Sequence, residues 1–385
     1  MRSIADPRSQ PLFASGSCSL TGFAALVLVL LSACATSDDQ GAGRSDDAPP
    51  AVSAAAADQT VGHVLEEIAP GVYFADAAGT GEILLASNAM VVVNRDDVLV
   101  VDSHITADAA DSLIRAVRTI TDKPIRYLVN SHFHFDHAHG NQSFSGLASD
   151  VQIVGHEYTR ERMLTDVLAE PTYQTIGAPA AQEGIAMQLE RQIDALDAEA
   201  DAETRSSLQA QLVMLRRHIE ALAEVVPTPP NLTLLDKLTL HRGDREIQLL
   251  HLGRGHTGGD VVVYLPAEKI AFTGDLFYAG APYLGDGFAD EFVDTLGRLA
   301  ELDVDVFVPG HGPLVRDKAQ IAFNQEYLRK YWRQVSDSHA AGRSVEEAIA
   351  ELDLSGYEEF AAFQTNMPAV LELEVRRMYE LLELR

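Results

Sequence analysis

The sequence predicts an α/β fold, and three observations carry that prediction. Short runs rich in Val, Ile and Leu alternate with stretches whose apolar residues recur at helical spacing. Of the 385 residues, 46% are hydrophobic, which is ample for a sizeable core. Only one internal stretch, 181–226, departs from the alternation, and it does so as a helical insertion.

The elements follow in order. "GVYFAD" (71–76) and "NAMVVVNRDDVLVVDSH" (88–104) read as strands, with "NRDD" as the turn between two of them. Leu113, Ile114, Val117 and Ile120 mark 107–121 as an amphipathic helix. "PIRYLVNSH" (124–132) is a buried strand, and "VQIVGHE" (151–157) is another, followed by a helix to about 168. Within 181–225, Leu189, Ile193 and Leu196 step by four and three. Leu208, Leu212, Leu215, Ile219 and Leu222 repeat that step out of phase with the first set. Two helices folded into an antiparallel hairpin account for the break at "DAEADAETRSS"; a single long helix is the alternative. The leucines serve packing, and the hairpin offers a surface for a second copy of the chain. "PTPP" (227–230) ends it. Strands return in "LTLLDKLTLHRGDREIQLLHL", "DVVVYLPAEKIAFTGD" and "VDVFVPGHGP". From about 317 the chain is helical to its end, with Ser344 and Glu347 in a capping-box pattern.

The first 60 residues carry little that a core would bury. An apolar run at 21–34 ends in Leu31, Ser32, Ala33 and Cys34, which has the form of a bacterial lipoprotein box. The expected organisation is a signal peptide at 1–33, a disordered tether at 34–60, a folded domain at 61–320 with its insertion at 181–226, and helices at 321–385. Export to the periplasmic side with a lipid on Cys34 follows; an ordinary secretion signal with a soluble periplasmic product is the alternative. The tether would span roughly 25–30 Å as a random coil. Cys18 and Cys34 are the two cysteines, so a mature chain cut at Cys34 forms no internal disulfide and builds any metal site without thiolate. A formal charge of −28 without a Lys/Arg run excludes nucleic acid as a partner and leaves a small molecule as the expected substrate.

"NSHFHFDHAHGN" (130–141) concentrates the chemistry. His132 and His134 are two apart and share one side of an extended chain. Asp136 and His137 follow at a turn, where they can reach a second point about 3.5–4 Å away. Imidazole and carboxylate donors in this density suit zinc or a similar cation. His139 reads as a bystander facing solvent or backing a ligand, and His104 as a residue that lines the site or caps a loop. His63, His156, His218, His241 and His339 read as ordinary, and His251 as a strand residue. Tyr278 and Tyr283 fall in a loop that could touch substrate or serve structure.

HxHxDH resembles the signature of the metallo-β-lactamase superfamily. Four further motifs continue the resemblance in the family's order: "VLVVDSH" with Asp102, "GRGHTGGD" with His256, "FTGDLF" with Asp275, and "VPGHGP" with His311. The resemblance implies a four-layer αββα sandwich, extended here by the helical hairpin and the C-terminal helices. It implies two Zn2+ ions, with iron or manganese as alternatives. His132, His134 and His256 would hold the first; Asp136, His137 and His311 the second; Asp275 would bridge both. Asp102 would orient the histidine loop through hydrogen bonds. The implied activity is hydrolysis of an ester, thioester or lactone, with a water acidified between the two cations as nucleophile and Asp136 orienting it. β-Lactam, phosphoester and sulfate ester hydrolysis are the alternatives, and aspartate at 275 sets the chain apart from the class B β-lactamases, which carry Cys or Ser there. A scaffold lipoprotein with a relic metal site is the reading that needs no enzyme.

Overall fold

The computed structural model describes residues 62–76, 85, 87–196 and 202–385. The expected leader, Cys34 with its expected lipid, and the expected tether lie outside the described residues.

Among the described residues the strands form two sheets. The first runs in sequence order, β1 (Val64–Ala69), β2 (Val72–Asp76), β3 (Ala89–Val93), β4 (Val98–Val101), β5 (Ile125–Val129), β6 (Gln152–His156) and β7 (Leu232–Leu234). Its first half is antiparallel, and β4 to β7 are parallel. The second sheet has the order β12-β11-β10-β9-β8, from β8 (Lys237–Arg242), β9 (Arg245–Leu250), β10 (Val262–Leu265), β11 (Ile270–Gly274) and β12 (Val306–Pro309). Only β11 and β12 run parallel in it.

The strands are apolar on both faces because both faces are covered. Leu99, Val101, Val129 and Val154 of the first sheet meet Leu249, Val263, Phe272 and Val308 of the second, and all of them are buried. Val98, Val100 and Leu128 point the other way, against Leu113 and Val117 of α1 (Ala107–Ile120). Thr106 caps α1 by accepting from the Ala109 N–H. Two short helices follow β5, α2 (Phe135–Ala138) and α3 (Asn141–Ser145), and α4 (Glu157–Thr165) follows β6. On the far side, Val262, Tyr264 and Phe307 pack on Phe292, Leu296 and Leu299 of α7 (Ala289–Glu301) and on Tyr327 and Tyr331 of α8 (Ala319–Ala340). The layers are therefore helix, sheet, sheet, helix. Each fully buried side chain of this size contributes about 1.5–3 kcal/mol.

The helical stretch between β6 and β7 is two helices. A π-helical turn (Tyr173–Gly177) leads into α5 (Pro179–Ala195), and α6 (Ala202–Leu222) returns beside it. Ala186 packs on Leu215 and Ile219. Arg216 pairs with Glu183 and Glu190, while Arg205 donates to the carbonyls of Ile193 and Leu196, so the helices are antiparallel. The first part of the polar break, 197–201, lies outside the described residues. At the other end of the chain, α9 (Val345–Glu351) carries the expected capping box on Ser344 and Glu347. α10 (Ala362–Asn366) and α11 (Pro368–Glu383) complete the helical layer, where Val375 and Met378 join the core of α7 and α8. No described helix is long and apolar enough to cross a membrane.

Candidate metal centre

The two parallel groups of strands bring their C-terminal ends to one edge of the sandwich, and the polar residues of the five motifs sit there. Asp102 follows β4. His132 and His134 follow β5, and α2 then turns Asp136 and His137 inward. His256 lies in the loop after β9. Asp275 follows β11, and His311 follows β12. A long separation in sequence thus becomes a short one in space because parallel strands deliver their ends side by side.

Three groups of donors lie close enough to hold a cation: His132, His134 and His256; His132, His137 and Asp275; and Asp136, His137 and His311. The His256 Nε2 is 2.9 Å from the His134 Nδ1. Asp275 reaches across, its Oδ1 3.3 Å from the His137 Nε2 and its Oδ2 3.4 Å from the His311 Nε2 and 3.7 Å from the His256 Nε2. The Asp136 Oδ2 is 2.9 Å from the His311 Nε2. His132 Nε2, His137 Nε2 and Asp275 Oδ1 are buried without a hydrogen-bond partner. Buried lone pairs left unmatched in such number are costly, and a cation among them removes that cost. The donor set fits a divalent metal with nitrogen and oxygen preference.

Backing groups select which nitrogen each histidine presents. His137 Nδ1 faces the Asp102 Oδ2 at 2.7 Å, which leaves Nε2 for the centre. The other Asp102 oxygen accepts from the Ser131 N–H, and the Ser131 hydroxyl, bonded to Asp102, lies 3.0 Å from the His132 Nδ1. His256 Nδ1 is held by the Tyr283 carbonyl at 3.0 Å. Asp102 thus hydrogen-bonds both Ser131 and His137, and it does so with φ +64°, a strained conformation for a non-glycine residue. Gly310 needs its missing side chain: a Cβ there would lie 2.1 Å from the Asp275 Oδ1 and 2.7 Å from the His137 Cε1. Asp260 ties down the His256 loop by accepting from the N–H and hydroxyl of Thr257.

Burial, and then the neighbouring imidazoles, lower the proton affinity of His132 and bring His256 to about 4, so both stay neutral and able to donate a lone pair. Burial opposes the ionisation of Asp136 and Asp275, but His137 and His311 beside them win, and both carboxyls are held well below their usual range.

Other sequence-selected residues distribute differently. His139 is fully buried against Phe135 and Tyr173, not in solvent, and belongs to none of the three donor groups. His104 is fully buried, with φ +65°, and its Nε2 is 2.7 Å from the Nε2 of His63. His63 is thus no ordinary surface histidine. His104 Nδ1 is 3.3 Å from the Ser87 hydroxyl, which donates to the Asp136 carbonyl. His251 falls just past β9 and pairs with the Asp260 carbonyl. Tyr283 lies beside His134 and His256, with ring centroids 6.2 Å apart in each case, while the Tyr278 ring centroid is 6.4 Å from that of His311. Sequence reasoning missed Asp286, which takes the His134 Nε2 at 3.0 Å. Its only signal was an acidic residue in the loop after "FTGDLF".

The profile of the metallo-beta-lactamase superfamily matches residues 83–311, more than half of the chain. The chain belongs to the metallo-beta-lactamase superfamily. Within it, the linear primary-alkylsulfatase of a Pseudomonas species is 26% identical over 251 residues, 61% of this chain and 42% of that protein. The acyl-coenzyme A thioesterase MBLAC2 of Bos taurus and of Homo sapiens is 33% identical over 88 residues, 21% of this chain and 31% of that protein. The chain spans less than half the length of these relatives. Among solved structures, a metallo-beta-lactamase from Pontibacter korlensis aligns with TM-score 0.47 and 19% identity over 69% of this chain and 99% of that one. The superfamily and these relatives are hydrolases, and the His/Asp clusters suggest divalent metal use.

Proposed function

We propose that the chain is a dinuclear zinc hydrolase acting on a small ester, thioester or lactone. The observation that carries the reading is the interlocking of the three donor groups: His132 is shared by the first two and His137 by the last two, so one continuous donor set serves two cation positions. Iron or manganese would accept the same donors.

Bound divalent cations would supply Lewis-acid polarisation of the scissile group and acidify a water. The residues themselves divide the remaining work. His132, His134 and His256 form a dry wall. The Asp136 side chain, 13% exposed, and the His311 side chain, 36% exposed, are the side of the centre that solvent and substrate can reach. Asp136 is the carboxylate placed there to orient a water and accept its proton. Tyr283 stands between the dry histidines and an apolar group of Ile176, Met367 and Val370, a neighbourhood suited to a hydrocarbon substituent. The names of both relatives specify an alkyl or acyl chain, which agrees with that placement.

Sulfate ester hydrolysis is the second reading, favoured by the length of the match to the alkylsulfatase. The deciding experiment is a hydrolysis panel of acyl thioesters, aryl esters, lactones, alkyl sulfates, phosphodiesters and a β-lactam on zinc-loaded protein, with chain length varied. Thioester or carboxylic ester turnover is expected, dependent on His134. Fewer than one metal per chain, or full activity in His134→Ala, would overturn the enzyme reading. We also propose export and lipid attachment at Cys34, supported by the apolar run and small residues that precede it.

A further inference from the structure

The root of the helical insertion and the loop after β11 meet beside His134. The Asp286 Oδ2 lies 3.0 Å from the His134 Nε2 and accepts from the Thr172 hydroxyl. Thr172 Oγ1 is also 2.8 Å from the Tyr283 hydroxyl. Thr172 has one proton to give. With Asp286 as the acceptor, that proton goes to the carboxylate, and the Tyr283 hydroxyl donates to Thr172 in turn. Glu170, 3% exposed, is hydrogen-bonded to Asp286 as well. Two carboxyl groups this close and this far from water can share one proton between them. The Arg162 guanidinium stands 3.5 Å from Glu170 on the outer side.

The consequence is tautomeric. Because the Asp286 Oδ2 already accepts from Thr172, its contact with the His134 Nε2 calls for a proton on that nitrogen. The lone pair then sits on Nδ1, the atom 2.9 Å from the His256 Nε2. Neither Glu170 nor Thr172 belongs to any of the three donor groups. Both lie just before the π-helical turn that opens the insertion, whose Tyr173 packs under Phe135 of the histidine motif.

We propose that Glu170 and Thr172 are positioning residues for the half-site of His132, His134 and His256, so that the insertion sets that half-site's metal affinity through Asp286. The inference rests on the reading that those histidines hold a metal.

The test is zinc affinity by chelator competition on the full chain, with metal counted per chain. Glu170→Ala and Thr172→Val should each weaken one of two zinc ions by about tenfold, the low end for an outer-shell partner. Glu170→Gln and Thr172→Ser keep a donor toward Asp286 and should bind as the unaltered chain does. Thermal melts of the zinc-free proteins separate loss of fold from loss of affinity: a shift in affinity without a matching shift in melting supports the proposal. Two zinc ions bound by Glu170→Ala and Thr172→Val with unaltered affinity would overturn it and leave the metal reading standing. An unaltered chain that binds no zinc would overturn the metal reading itself.

Discussion

The two halves of the centre are built to different rules. His132, His134 and His256 are all buried, and each has its second nitrogen committed, to Ser131, to Asp286 and to the Tyr283 carbonyl. Asp136, His137 and His311 include a carboxylate, and only His137 is locked from behind. His311 is 36% exposed at its side chain. On the proposed reading, the histidine half would meet a cation with its rings already held from behind. The carboxylate half is the more open to solvent, and on the proposed reading it would be the side a substrate reaches. Asp275 lies between them, its Oδ2 3.7 Å from the His256 Nε2 and 3.4 Å from the His311 Nε2.

The comparison is broken most directly at Asp275. Asp275→Ala should lower hydrolysis by more than the roughly 10–100-fold typical of an outer-shell change and take the metal count per chain below two. Retention of both metals would show that the halves are independent. Asp102→Asn comes next. Asp102 touches His137 directly and His132 through Ser131, so chelator competition should show both metals weakened, by about 10–100-fold. Gly310→Ala places a methyl group against Asp275 and His137, and calorimetry should report a loss of about 1–3 kcal/mol, the usual cost of overpacking.

A smaller effect concerns Glu374, buried in α11, which accepts from the Leu284 N–H and the Tyr331 hydroxyl and so braces the loop that carries Tyr283 and Asp286. Burial raises its carboxyl to about 8, above its value in an unfolded chain. The protonated form is therefore the one that folding favours. Its stabilisation is complete below about pH 4.5 and is lost as pH rises through about 8. Melting curves across that window should fall with pH in the unaltered chain and fall less in Glu374→Gln. Smallest of all for catalysis is Cys34→Ala, which should leave hydrolysis unchanged and move the protein from the membrane fraction to the soluble one. Unchanged fractionation would overturn the lipid anchor.

Much of the centre was legible because its residues come in short motifs with fixed spacing. His132, His134, Asp136 and His137 lie within six positions, and His256, Asp275 and His311 each stand beside glycines in a short motif. The hairpin was legible as well, since leucines at steps of four and three have one economical packing. Asp286 was not, because a carboxylate that binds through a histidine needs no spacing of its own. The pair of His63 and His104 was hidden for the same reason: forty-one residues separate them, and only the stacking of β-strands on α1 brings them together.

The chain's local patterns, then, were sufficient to indicate an α/β domain and its helical insertion, since periodicity is a property of neighbouring residues, while the layers and the expected donors came from the resemblance to the superfamily. What the tertiary structure alone decided is which nitrogen each histidine offers, which half of the centre is dry, and how the insertion reaches it. Those depend on side chains far apart in sequence that share one buried volume, where every proton must have an acceptor and each unmatched lone pair calls for a cation.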